Sequence, residues 1–78
     1  MELYLNELLY LEELLKEKAN ESYLLKDGMY QLWDVILTRT RDDIKKEEEE
    51  FRKTGELEIF MKNFKKGYFE TFKKPYIR

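Results

Sequence analysis

The side chains with the most evident chemical potential are carboxylates. Asp42 and Asp43 precede the run Glu47 to Glu50 by about one helical turn. Carboxylates gathered in this way can hold a hard cation such as magnesium or calcium, or work as an acid and base pair in glycoside hydrolysis. The spacing does not match a calcium loop, which alternates its ligands around a central glycine. A hydrolytic pair also needs a cleft, which 78 residues hardly build. The run reads as a solvated helix face, with pairs such as Lys46 and Glu50 adding a few tenths of a kcal/mol each.

Other chemistry is mostly excluded by composition. The chain has no His and no Cys, the two commonest carriers of proton transfer and nucleophilic attack. Ser22 is its only serine, so a triad has no base, and Gly28, Gly55 and Gly67 are too scattered for a phosphate loop. We expect no enzyme, no catalytic residues, no metal site and no cofactor. Asn20, Glu21 and Ser22 match a glycosylation sequon, which we read as chance.

Two further constellations concern binding. Phe60, Phe64, Tyr68, Phe69, Phe72 and Tyr76 interleave with Lys62, Lys65, Lys66, Lys73, Lys74 and Arg78, combining stacking rings with charges that neutralise phosphate. Most of these rings share one helix face and read as core. Phe69 and Tyr76 are the two expected to be free to stack. In the stretch Thr38 to Arg41, Arg39 and Arg41 flank an apolar stripe and can meet Asp42, Asp43 or a partner's carboxylate.

Charge is distributed unevenly. Residues 1–59 hold sixteen acids and nine bases, whereas residues 60–78 hold six bases and only Glu70. The acidic part could imitate a phosphate backbone and block a basic cleft, which is a third reading of the chain.

These residues must be positioned by helices. Met1, Tyr4, Leu8, Leu11 and Leu15 recur at helical spacing, predicting a first helix over about 2–18. Leu5 and Leu9 widen its stripe on one side, and Leu3, Tyr10 and Leu14 on the other. The apolar arc exceeds what one neighbouring helix can cover. The stripe then fails at Lys18 to Ser22, where Asn20 and Ser22 suit the start of a new helix. From Leu25 a second stripe runs through Met29, Leu32, Trp33, Ile36, Leu37, Thr40, Ile44 and Phe51. It predicts a second helix beginning near 21 or near 28, depending on whether Asp27 and Gly28 turn the chain, and ending at 53. Between Arg41 and Lys53 only Ile44 and Phe51 are apolar, so this half is expected to project from the core. Thr54 and Gly55 end it.

Leu57, Phe60, Met61, Phe64, Tyr68, Thr71 and Phe72 fit a third helix over 56–73, with Ile59 and Phe69 off its inner face. A break at Gly67, or a hairpin built on the alternation of Leu57, Ile59 and Met61, are the alternatives.

The expected fold is thus all-α: one domain over 1–78, a small bundle of three main helices, in which an antiparallel hairpin is closed by an aromatic C-terminal helix. Residues 74–78 form a flexible basic tail in this reading. No apolar run approaches the roughly 18 residues that span a bilayer, and the acidic start is unlike a secretory signal. We expect a cytoplasmic protein with no membrane partner. With no disulfide or zinc available to so short a chain, association is the remaining source of extra stability.

The functional expectation is a small regulator or inhibitor that binds another protein, a second copy of itself, or both. Its contact residues would be Leu3, Leu9, Tyr10 and Leu14, with Ile59 and Phe69. The alternative is nucleic-acid binding through Lys62, Lys65, Lys66, Phe69, Lys73, Lys74, Tyr76 and Arg78.

Overall fold

The computed structural model describes residues 3–77. Met1 of the first stripe and Arg78 of the basic set lie outside the described residues. Among those described, the fold is all-α: α1 (Leu5–Leu25), α2 (Tyr30–Thr54) and α3 (Leu57–Phe72), with no strand. The segment after Gly55 is one helix rather than a hairpin, and it runs unbroken through Gly67. The chain forms two compact units, Met1–Glu47 and Glu48–Arg78, and α2 contributes to both.

In the first unit, α1 and the leading part of α2 pack as an antiparallel hairpin. Glu7 reaches back to accept the Tyr4 backbone N–H at 2.8 Å, fixing the start of α1. The buried positions of α1 are Leu5, Leu8, Leu9, Glu12, Leu15, Ala19 and Ser22, and those of α2 within this unit are Leu37, Thr40 and Ile44. Their spacings of three and four make a helix-to-helix seam. Tyr4, expected in the core, is exposed, and Leu11 is only half-buried. The seam is therefore turned toward Leu5, Leu9 and Glu12.

The first helix is longer than its apolar pattern suggests, reaching residue 25 instead of 18. Its seam continues through Ala19 and Ser22, both small and both buried, which a count of large apolar residues passes over. Ser22 starts no helix. Its hydroxyl donates to both carboxylate oxygens of Asp27, at 2.8 and 3.1 Å, which removes the penalty of burying it unpaired.

Both connections end in the same backbone device. At the end of α1, Lys26 N–H donates to Tyr23 O and Asp27 N–H to Ser22 O. At the end of α2, Gly55 N–H donates to Arg52 O and Glu56 N–H to Phe51 O. These paired bonds are a Schellman motif, which needs a left-handed residue just past the helix. Gly55 supplies it at φ +75° without steric cost, whereas Lys26 adopts φ 53° with a side chain attached. Asp27 then accepts the Met29 N–H at 2.9 Å, and α2 begins at Tyr30. The Asp27 and Gly28 turn is thus real, and the later of the two expected starts is the nearer.

The second unit is organised by aromatic rings. Phe60, Phe64, Tyr68 and Phe72 follow one another every four residues along α3, with successive centroids 6.4, 6.2 and 4.6 Å apart. Phe51 sits 4.8 Å from Phe60, so the last turns of α2 are seated on α3 and do not simply project into solvent. Tyr76 meets Phe64 at 4.9 Å and Tyr68 at 5.1 Å, edge-on to both. Edge-to-face pairs of this kind contribute about 0.5–1.5 kcal/mol beyond the area they bury. The expected flexible tail is accordingly anchored at residue 76, which is only 7% exposed.

Candidate interaction surfaces

The acidic positions come first, because they carried the chemical possibilities. Among the described residues no group of three acidic side chains converges closely enough to hold a metal ion. Glu49 pairs with Arg52, and Glu50 with Lys53 at 3.4 Å, each within one turn; the expected partner of Glu50, Lys46, is not the one used. One further acid, outside the acidic run, is buried. Glu12 is 5% exposed in the α1 and α2 seam, and its Oε2 accepts from Arg41 Nε at 3.3 Å. Arg41 thereby meets a carboxylate of its own chain from the opposite helix. The signal available in the sequence was positional: Glu12 falls four residues after Leu8 and three before Leu15, on the buried repeat.

Of the residues expected to face a partner, the structure separates core from surface. Leu9 is fully buried in the seam, because the turn of α1 toward Leu5 and Glu12 carries Leu9 inward, and it is unavailable to any partner. Leu3 and Tyr10 are half-buried, whereas Leu14, Ile59 and Phe69 are exposed. A further cluster of exposed apolar side chains lies at the tip of the first hairpin. Tyr23, Leu24 and Leu25 close α1 at 62%, 69% and 67% exposed, and Met29, Tyr30 and Leu32 open the far side of the turn, all exposed. Tyr23 and Tyr30 lie 5.2 Å apart, bracing the two sides. Beside them an open groove of about 540 Å³ is lined by Ser22, Tyr23, Leu24, Lys26, Gly28, Tyr30 and Gln31.

This surface was missed because Leu25, Met29 and Leu32 continue the α2 stripe in sequence, which places them in a core. In the fold they lie at the open end of the hairpin, beyond the last buried residue of α1 and before the first of α2, and all three are exposed.

The basic set also divides. Lys62, Lys65, Lys66, Lys73 and Lys74 are exposed, and among the described residues none of them forms an ion pair. Phe69 is exposed beside them. Tyr76 is not available to stack, since its ring is enclosed by Phe64 and Tyr68. No helix among the described residues is long and apolar enough to cross a membrane.

No family model, curated protein or solved structure matches the chain.

Proposed function

We propose that this protein is a non-enzymatic interaction module, a small cytoplasmic regulator that acts by docking on a protein surface through the tip of the α1 and α2 hairpin. The observation that carries the reading is the exposure of six large apolar side chains, Tyr23, Leu24, Leu25, Met29, Tyr30 and Leu32, within ten residues on both sides of one turn. Protein interfaces place aromatic and large aliphatic anchors in this way, and the groove beside Tyr23 offers room for side chains from the other partner. The absence of His and Cys supports a role without chemistry, and the lack of Cys fits a reducing compartment.

The occupant we propose is a second copy of the chain. Below about 80 residues a single core yields only a few kcal/mol, and this sequence has neither the disulfide nor the zinc ligands by which small domains usually add to it. A shared apolar surface is the remaining route.

Light scattering tests this directly. The native chain is expected to show a dimer mass that falls on dilution, and a Leu24→Glu plus Leu25→Glu variant to be monomeric with its helicity intact. Both positions are exposed, so the charges should not disturb the hairpin. A strict monomer at millimolar concentration would overturn self-association, and a monomer that also fails to bind an apolar dye would overturn the docking surface itself.

A further inference from the structure

We propose that the outward face of α3 binds single-stranded nucleic acid, with Phe69 stacking on a base while Lys62, Lys65, Lys66 and Lys73 contact the neighbouring phosphates. The argument begins with the position of one ring. Phe69 is 54% exposed although α3 has a continuous aromatic face of its own, because that face is already occupied by the contacts among Phe60, Phe64, Tyr68 and Tyr76. On a helix the side chains three and four residues away are the nearest neighbours, about 5–6 Å distant. For Phe69 these are Lys65, Lys66 and Phe72, and Lys73 follows at the left-handed cap that ends the helix. The exposed ring thus shares its face with two lysines one turn before it and Lys62 a further turn along.

What sets this face apart is the density of its cations, with a single acid, Glu70, among residues 60–77 to meet them. Arg41, Arg52 and Lys53 each meet a carboxylate, and Lys18 meets Glu21 at 3.9 Å. The lysines of α3 meet none among the described residues. Glu70, the one acid from 60 to 77, lies four residues from Lys66 and three from Lys73 but pairs with neither. An unneutralised row of cations is complementary to a polyanion, and each phosphate it neutralises releases counterions.

The arrangement favours one polyanion over the others. A helix that lies in a membrane surface needs a continuous apolar face to insert, and the continuous apolar face of α3 is engaged in its own unit. A duplex keeps its bases stacked on one another, leaving nothing for a solitary ring. Single strands expose base faces, and an aromatic ring beside phosphate-neutralising charges is how proteins hold them without reading sequence.

The test is fluorescence anisotropy with the full chain and a labelled oligothymidine of about 20 nucleotides, long enough for any common site size, titrated across about 50–200 mM salt. Binding is expected at the low end. If four lysines take phosphates, the slope of log K against log salt should be about −3. Phe69→Ala should weaken binding about ten-fold while leaving that slope unchanged, and Phe69→Trp should restore or tighten it. Lys65→Glu with Lys66→Glu should abolish it, and Leu24→Glu with Leu25→Glu should not alter it, because the two surfaces share no residue. All these positions are exposed, and unchanged far-ultraviolet circular dichroism is the control for folding. The proposal is overturned by any of four results: no binding at the lowest salt, an affinity indifferent to Phe69→Ala, equal displacement by a duplex, or retention by phosphatidylserine vesicles but not by the oligonucleotide.

Discussion

Glu12 on α1 and Arg41 on α2 form an ion pair across the first hairpin, with the carboxylate almost wholly buried and the guanidinium half in solvent. A seam position that would accept leucine is held by a charge whose partner is 29 residues away in sequence. Such a pair contributes little net stability compared with an apolar residue of similar size, but it penalises every register in which the carboxylate is buried away from its arginine.

The two members should therefore behave differently. Arg41→Ala is expected to cost about 1–3 kcal/mol, less than a fully enclosed pair because Arg41 is half exposed. Glu12→Leu should change stability by less than about 1 kcal/mol in either direction, since it removes the charge along with the need to pair it. Urea denaturation of the two variants gives both numbers. A Glu12→Leu loss as large as that of Arg41→Ala would mean that the pair holds the hairpin together and does not merely set its register.

The turn between α1 and α2 combines a costly residue with a well-satisfied one. Lys26 occupies the left-handed position that Gly55 fills in the other turn, so Lys26→Gly should raise stability by about 0.5–1 kcal/mol. Asp27→Ala should lower it by about 1–2 kcal/mol, because Asp27 accepts both the buried Ser22 hydroxyl and the Met29 N–H. Thermal melts followed by circular dichroism should move in opposite directions for the two, and a shift of the same sign would contradict the geometry of this turn.

Gly67 is a different kind of glycine. It lies inside α3 at an ordinary helical φ, and a Cβ built there meets no atom within 4 Å. Gly67→Ala should stabilise the chain by about 0.5–1 kcal/mol, whereas the same change at Gly28 or Gly55, both at positive φ, should destabilise it. Three melting curves decide the matter.

Tyr76 tethers the segment that follows α3. Tyr76→Ala removes two edge-on ring contacts and most of a buried side chain, at a cost of about 2–4 kcal/mol. Tyr76→Phe, which keeps the ring, should retain most of that stability. Amide exchange in α3 is the sensitive readout, and protection that survives Tyr76→Ala would show that the ring is not what holds the segment.

The legible and illegible parts of the fold divide along a physical line. The helical class and the third helix followed from periodicity, and the exposed positions of Ile59 and Phe69 followed from their being off its inner face. Periodicity also found Leu5, Leu8 and Leu9 but assigned Leu9 to a partner, because α1 is apolar on more than one side; all three are buried. The end of α1 was misplaced because its last seam residues are small or polar, and the apolar tip because an unbroken stripe does not say where the buried seam stops. Tyr76 looked free because it lies in the tail beyond the third helix, yet from four residues past the end of α3 it reaches back to rings whose packing no linear pattern records.

Lys26 to Met29 and Gly55 to Glu56 are the only links between successive helices, and both are short. Within each unit, then, the first packing contacts can form beside a short turn and extend away from it. Little loop-closure entropy stands between the unfolded chain and its first productive contacts, and helical topologies of this kind reach their native state in microseconds to milliseconds. Speed of folding, as well as its outcome, is thus written into two tight turns.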